Sequence, residues 1–230
     1  MIDLVQEGRL IARQQTTNMG IIVGAHAQSA EGVRRALKAG VDTIEHGSEL
    51  DDELIELFRH NPNSLRGYSA LVPTLSAGLP LTMIDQKTTG ITDIQLENSK
   101  TVVSGMVAGA RQAYKAGLTV GVGTDTDMTF VSQYATWREP ALLVRFAGFT
   151  PAQAIHAATQ VNARILGVDD VAGSLEAGKS ADLLVVDGDP LKDLRTLERP
   201  ALVVVAGHPV FRPKTEQFLE INELLDSVIS

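Results

Sequence analysis

His26 and His46 each close an apolar stretch, Ile21-Ile-Val-Gly-Ala25 and Val41-Asp-Thr-Ile-Glu45, and Asp125 closes a third in Gly121-Val-Gly-Thr-Asp-Thr-Asp127. Two imidazoles and a carboxylate brought to one place form a ligand set for a divalent cation, zinc above all. Zinc lowers the pKa of a bound water towards neutrality and yields a hydroxide able to attack a carbonyl carbon. Asp125 suits ligation, acceptance of that water's proton, or both. Each residue alone also fits a plainer part: a strand-end histidine is commonly a hydrogen-bonded structural group, and Gly-Thr-Asp is a common turn. Spacing and placement leave both readings open at this point.

The elements that must position these residues alternate along the chain. Apolar positions at helical spacing predict a helix over residues 3–19, and a strand over Ile21–Ala25 follows it. Ser29 to Gly40 reads as a helix with a serine cap and a terminal glycine, and Val41–His46 as the next strand. Helix Asp51–His60, strand Ala70–Leu75, helix Thr92–Ala116 and strand Leu118–Val122 continue the cycle. Apolar strands joined by helices predict a parallel sheet covered on both faces, which either a barrel or an open doubly wound sheet satisfies. In a barrel, the C-terminal strand ends share one rim, where distant side chains meet. A helix from Thr150 to Ala163 precedes a change of texture, with short β segments at Ala181–Val186 and Ala201–Ala206.

The 20 Lys and Arg against 28 Asp and Glu leave a net charge of −8, unsuited to a nucleic-acid backbone. No apolar stretch approaches the roughly 20 residues of a membrane-spanning helix. The opening residues carry no secretory signal pattern. These features, and the absence of cysteine, are read as cytoplasmic, and they exclude disulfides and thiolate ligands. A nucleotide site is not expected, since neither Gly-x-Gly-x-x-Gly nor a phosphate loop occurs.

Val-Gly-Ala-His26-Ala, Ala-Leu-Lys-Ala-Gly-Val-Asp-Thr-Ile-Glu-His46-Gly, Val-Pro-Thr74-Leu and Gly-Val-Gly-Thr-Asp125-Thr occur in that order. Together with Gly148-Phe-Thr-Pro, Asn162-Ala-Arg-Ile-Leu-Gly167 and Gly173-Ser-Leu-Glu-Ala-Gly-Lys-Ser-Ala-Asp182-Leu, they resemble the amidohydrolase superfamily. The likeness is closest to its imidazolonepropionase-like and metal-dependent dipeptidase or carboxypeptidase-like branch. The last segment is its most specific part.

The resemblance implies an α/β chain: strands 5 to 8 of a (β/α)8 barrel over residues 1–167, then a β-sandwich return segment and tail over 168–230. It implies one or two divalent metals, zinc expected, and metal-dependent hydrolysis of carbon–nitrogen bonds in amides, cyclic amides or dipeptides. His26 and His46 would be metal ligands ending the fifth and sixth strands. Asp125 would end the eighth as ligand and proton shuttle. Tyr68, Thr74 and Arg138 are further expected to face substrate. The family's His-x-His pair and bridging lysine are missing, and a full barrel takes about 250 residues against about 140 before the tail. The chain thus reads as the C-terminal half of an amidohydrolase, which needs either its N-terminal half or a homo-oligomer to cover its edges. The alternative to a truncated enzyme is a non-catalytic fragment that folds only with a partner. His60 reads as surface, His156 as packing, His208 as a turn, Asp127 as a helix cap, and Arg138 with Glu139 as a structural ion pair.

Overall fold

A computed structural model describes residues 19–126 and 128–229. The expected helix over 3–19 and the expected cap at Asp127 lie outside, apart from Met19. The chain forms two compact units, one of Met1–Pro73 with Ser104–Gly121 and one of Thr74–Val103 with Val122–Ser230. The boundary expected at 167/168 falls inside the second.

The first unit holds β1 (Gly24–Ala27), β2 (Thr43–His46) and β3 (Ala70–Val72), parallel and in that order. Helix α1 (Ala30–Lys38) starts where Ser29 Oγ accepts the Gly32 amide at 3.1 Å, and α2 (Asp52–Arg59) where Asp51 Oδ1 accepts the Leu54 amide at 2.8 Å. Val33 and Leu37 of α1 and Leu54 and Phe58 of α2 are buried, the apolar face that the helical spacing requires, as are Ile44, Leu71 and Met106 in the same unit. Asp42 staples the entry to β2: its carboxylate accepts the Val23 amide at 2.8 Å and the Leu65 amide at 2.7 Å. The strand expected over Leu118–Val122 reduces to one parallel bridge, Val120 to Leu71.

The long helix α5 (Asp93–Lys115) enters this unit from Ser104 onward. A Cβ at Gly109 would collide with the Ser48 carbonyl, so glycine is what lets the helix lie against the segment after His46. Gln112 fastens the same segment by accepting the Leu50 amide at 2.7 Å.

In the second unit Leu75, expected to end a strand, instead starts helix α3 (Leu75–Met83), and α4 (Gln86–Thr89) follows it. Helix α6 (Arg138–Leu142) runs on through a π turn at Leu143–Ala147. Helix α7 (Pro151–His156), opened by a Thr150–Gln153 capping box, passes through a second π turn at Ala157–Val161 into α8 (Asn162–Leu166). An antiparallel sheet of β4 (Leu183–Val185), β5 (Leu202–Val205) and β6 (His208–Phe211) follows, and then α9 (Leu219–Ile229). His208, expected in a turn, opens β6 because Ala206 and Gly207, at φ 49° and 82°, already make the two-residue hairpin turn between Val205 and His208. Trp137, Ala141 and Leu194 form a buried cluster in this unit, whereas Leu184, Val205, Val210 and Phe211 on the sheet stay exposed.

Candidate metal and catalytic site

β1 and β2 are paired so that Ala27 stands opposite His46 and Glu45 opposite His26. In a regular pleat that register sends the two histidines to opposite faces. The structure nevertheless brings their rings together, centroids 4.5 Å apart and planes at 72°. His46 makes this possible by leaving the pleat: its φ is 71°, in the left-handed region. Gly47 follows at φ 79°, where a Cβ would meet Leu71 Cδ1 at 2.6 Å. His46 is buried at 4 % exposure, while His26 is open.

Left-handed backbone also marks two other expected site residues, Thr74 at φ 50° and Asp125 at 55°. For a β-branched threonine this conformation is costly, and strained residues concentrate where function over-determines the backbone. Thr74 is buried and precedes α3, whose first amides are taken by a residue distant in sequence. Glu139 accepts the Leu75 amide on Oε1 at 2.7 Å, and the Ser76 amide and hydroxyl on Oε2 at 2.7 and 2.5 Å. Complete burial pushes the Glu139 carboxyl up to about 7, although the Ser76 hydroxyl and the two amides pull it down.

Asp125, in the second unit, is exposed, and its carbonyl accepts the Met128 amide at 3.3 Å. The stretch before it is held by Asn162, whose Oδ1 accepts the Val122 amide at 2.9 Å and whose Nδ2 donates to the Val122 carbonyl at 2.8 Å. Asn162 is not among the residues expected at a site, whereas Glu139 is expected in an ion pair with Arg138, with lining of the pocket as the alternative. The signal for Asn162 is an asparagine inside a helix that it does not favour, and for Glu139 a carboxylate within an apolar helical run.

The expected ion pair of Arg138 with Glu139 does not form. Arg138 is buried and pairs at 2.6 Å with Asp226 of α9, which also pairs with Arg195. Burial works against ionisation of Asp226, but the two guanidiniums outweigh it and hold its carboxyl below the ordinary value. Tyr68 precedes β3 and therefore stands at the N-terminal end of that strand, the end opposite to the one that leads into Thr74. Among the described residues, no group of three His, Asp or Glu side chains is disposed to hold a metal ion. Two contacting imidazoles fit two neighbouring positions of a zinc sphere, which takes four ligands, so they make part of a site and not a whole one.

A parallel sheet whose strands are joined by helices places the chain among α/β proteins. Residues 6–210 match the amidohydrolase family, and the chain belongs to it. A crystal structure of a candidate prolidase from Bifidobacterium longum is 68 % identical, with a TM-score of 0.95, over 98 % of this chain and 55 % of that one. A crystal structure of a Xaa-Pro dipeptidase with methionine in its active site is 32 % identical, TM-score 0.77, over 90 % of this chain and 48 % of that one. Ochratoxinase of Aspergillus niger is 26 % identical over 195 residues, 83 % of this chain and 37 % of that protein. The chain thus spans about half the length, or less, of these relatives.

Proposed function

We propose that this chain is the metal-binding half of a hydrolase that cleaves carbon–nitrogen bonds of small amides, cyclic amides or dipeptides. The observation that carries this reading is the His26–His46 ring contact, formed against the strand register by a left-handed residue. His26 and His46 would hold a divalent metal, zinc by the chemistry of the donor set, and the resemblance assigns Asp125 the parts of further ligand and proton shuttle. The remaining ligands come from a complementary segment that supplies the other strands of the barrel. The metal, when bound, acidifies a water and polarises the scissile carbonyl. Asp125 would accept the proton of the hydrolytic water and return it to the leaving nitrogen. Thr74 is proposed to face substrate. The dipeptidase neighbour favours a short peptide among the candidate substrates.

A second reading is favoured by the incomplete ligand group: a non-catalytic member that associates with a partner or a second copy of itself. Metal content separates the two. Zinc near one equivalent per purified chain or assembly, lost in the double variant His26→Ala/His46→Ala, is the result expected of the hydrolase reading. Zinc no higher than in that variant would leave only the second.

A further inference from the structure

We propose that Asn162 is a positioning residue for Asp125, acting through the main chain of Val122; this rests on the catalytic reading of Asp125 given above. The segment from Gly121 to Asp125 is paired as in a strand only at its first amide, Gly121 N–H donating to the Leu71 carbonyl at 2.9 Å beside the Val120 bridge; beyond it no strand pairing occurs among the described residues. It contains two glycines, Gly121 and Gly123, whose backbone freedom would let its end wander. Asn162 takes the place of the missing neighbour strand. Its carboxamide offers one acceptor and one donor in a plane, the same pair that a peptide group presents, and it satisfies both polar groups of Val122. The residue reaches this place at the first position of α8, directly after the π turn at Ala157–Val161. Such a wide turn shifts the face that all later residues present, and π turns recur at functional sites. Between Val122 and Asp125 there are only two residues, so fixing one fixes the reach of the other. The Thr124 and Thr126 hydroxyls, 2.8 Å apart, brace the final step.

The experiment uses the metal-loaded complete assembly, with Asn162→Ala and Asn162→Asp made both in the native protein and in an Asp125→Ala background. Turnover of a dipeptide or amide substrate, zinc retention against a chelator and exchange of the Val122 amide are read on each. Asn162→Ala is expected to lower kcat or zinc affinity by roughly 10–100-fold, the range of groups that orient a metal-site residue, with KM within about twofold. In the Asp125→Ala background the same change is expected to cost nothing further, because the route runs through Asp125. Asn162→Asp, which keeps the acceptor and loses the donor, should fall between. Equal losses with and without Asp125, or faster Val122 exchange with kcat and zinc affinity unchanged, would overturn the proposal. If the native assembly hydrolyses nothing yet retains zinc, the hydrolase reading fails, and the zinc measurements alone decide for or against the role of Asn162. An assembly that neither hydrolyses nor retains zinc overturns both.

Discussion

Glu139 holds the start of α3 with a carboxylate that resists ionisation. Its folded-state value of about 7 lies above the ordinary 4.5, so the folded protein binds the proton more tightly than the unfolded chain. The stability this contributes is fully present below about pH 4.5 and is lost as the pH rises through 7, at most about 3 kcal/mol by linkage. Glu139→Gln removes the titration while keeping the shape. Urea unfolding at pH 5 and pH 8 should therefore show a smaller fall in stability for the variant than for the native protein, and an equal fall would rule out Glu139 as the source. The Leu75 and Ser76 amides lie more than sixty residues away in sequence, which is why no local motif announced this cap.

At the scale of elements, the close approach of α5 to the segment after His46 rests on one glycine. Gly109→Ala is expected to cost about 1–3 kcal/mol through overpacking against the Ser48 carbonyl. Gly105→Ala, whose added methyl meets Ser48 and Glu49 only at ordinary contact distances of 3.7–3.8 Å, should be neutral or gain up to about 1 kcal/mol from helix propensity. Chemical denaturation of both variants checks this, and equal losses would contradict the steric argument. These elements differ in how far the sequence disclosed them. Helices α1 and α2 and strand β2 were legible because apolar spacing, caps and terminal glycines agree within a few residues. Helix α3 was not: Ala70–Leu75 reads as one extended run, and Pro80 argues against a helix there. The expected strand at Leu118–Val122 failed in part because the backbone of Val122 bonds to a side chain instead. The positions of His26 and His46 at the ends of successive strands are legible in the sequence. The turn of His46 out of its register is not, since left-handed backbone at a histidine has no mark in composition.

For the whole molecule, the exposed apolar residues of the antiparallel sheet continue into a cleft of about 890 Å³ in the second unit, lined by Trp137, Ile155, Leu175, Leu184 and Val186. The Trp137 indole N–H is buried there without an acceptor among the described residues. An apolar surface of this kind favours association. The chain alone is therefore expected to sediment as oligomers and to bind an apolar dye. Mixing it with a segment spanning the rest of a relative's fold should give one stoichiometric species with the dye displaced. A lone monomer that binds no dye would refute that view of the cleft.

The first unit is interrupted: the chain leaves it after Pro73 and returns only at Ser104. During synthesis it cannot finish its packing until Gly121 has left the ribosome, by which time part of the second unit has already emerged. Neither unit is a segment that folds and is then released from consideration, so their maturation is coupled in time. A cut anywhere between 74 and 103 would likewise leave the first unit as two pieces joined only by packing.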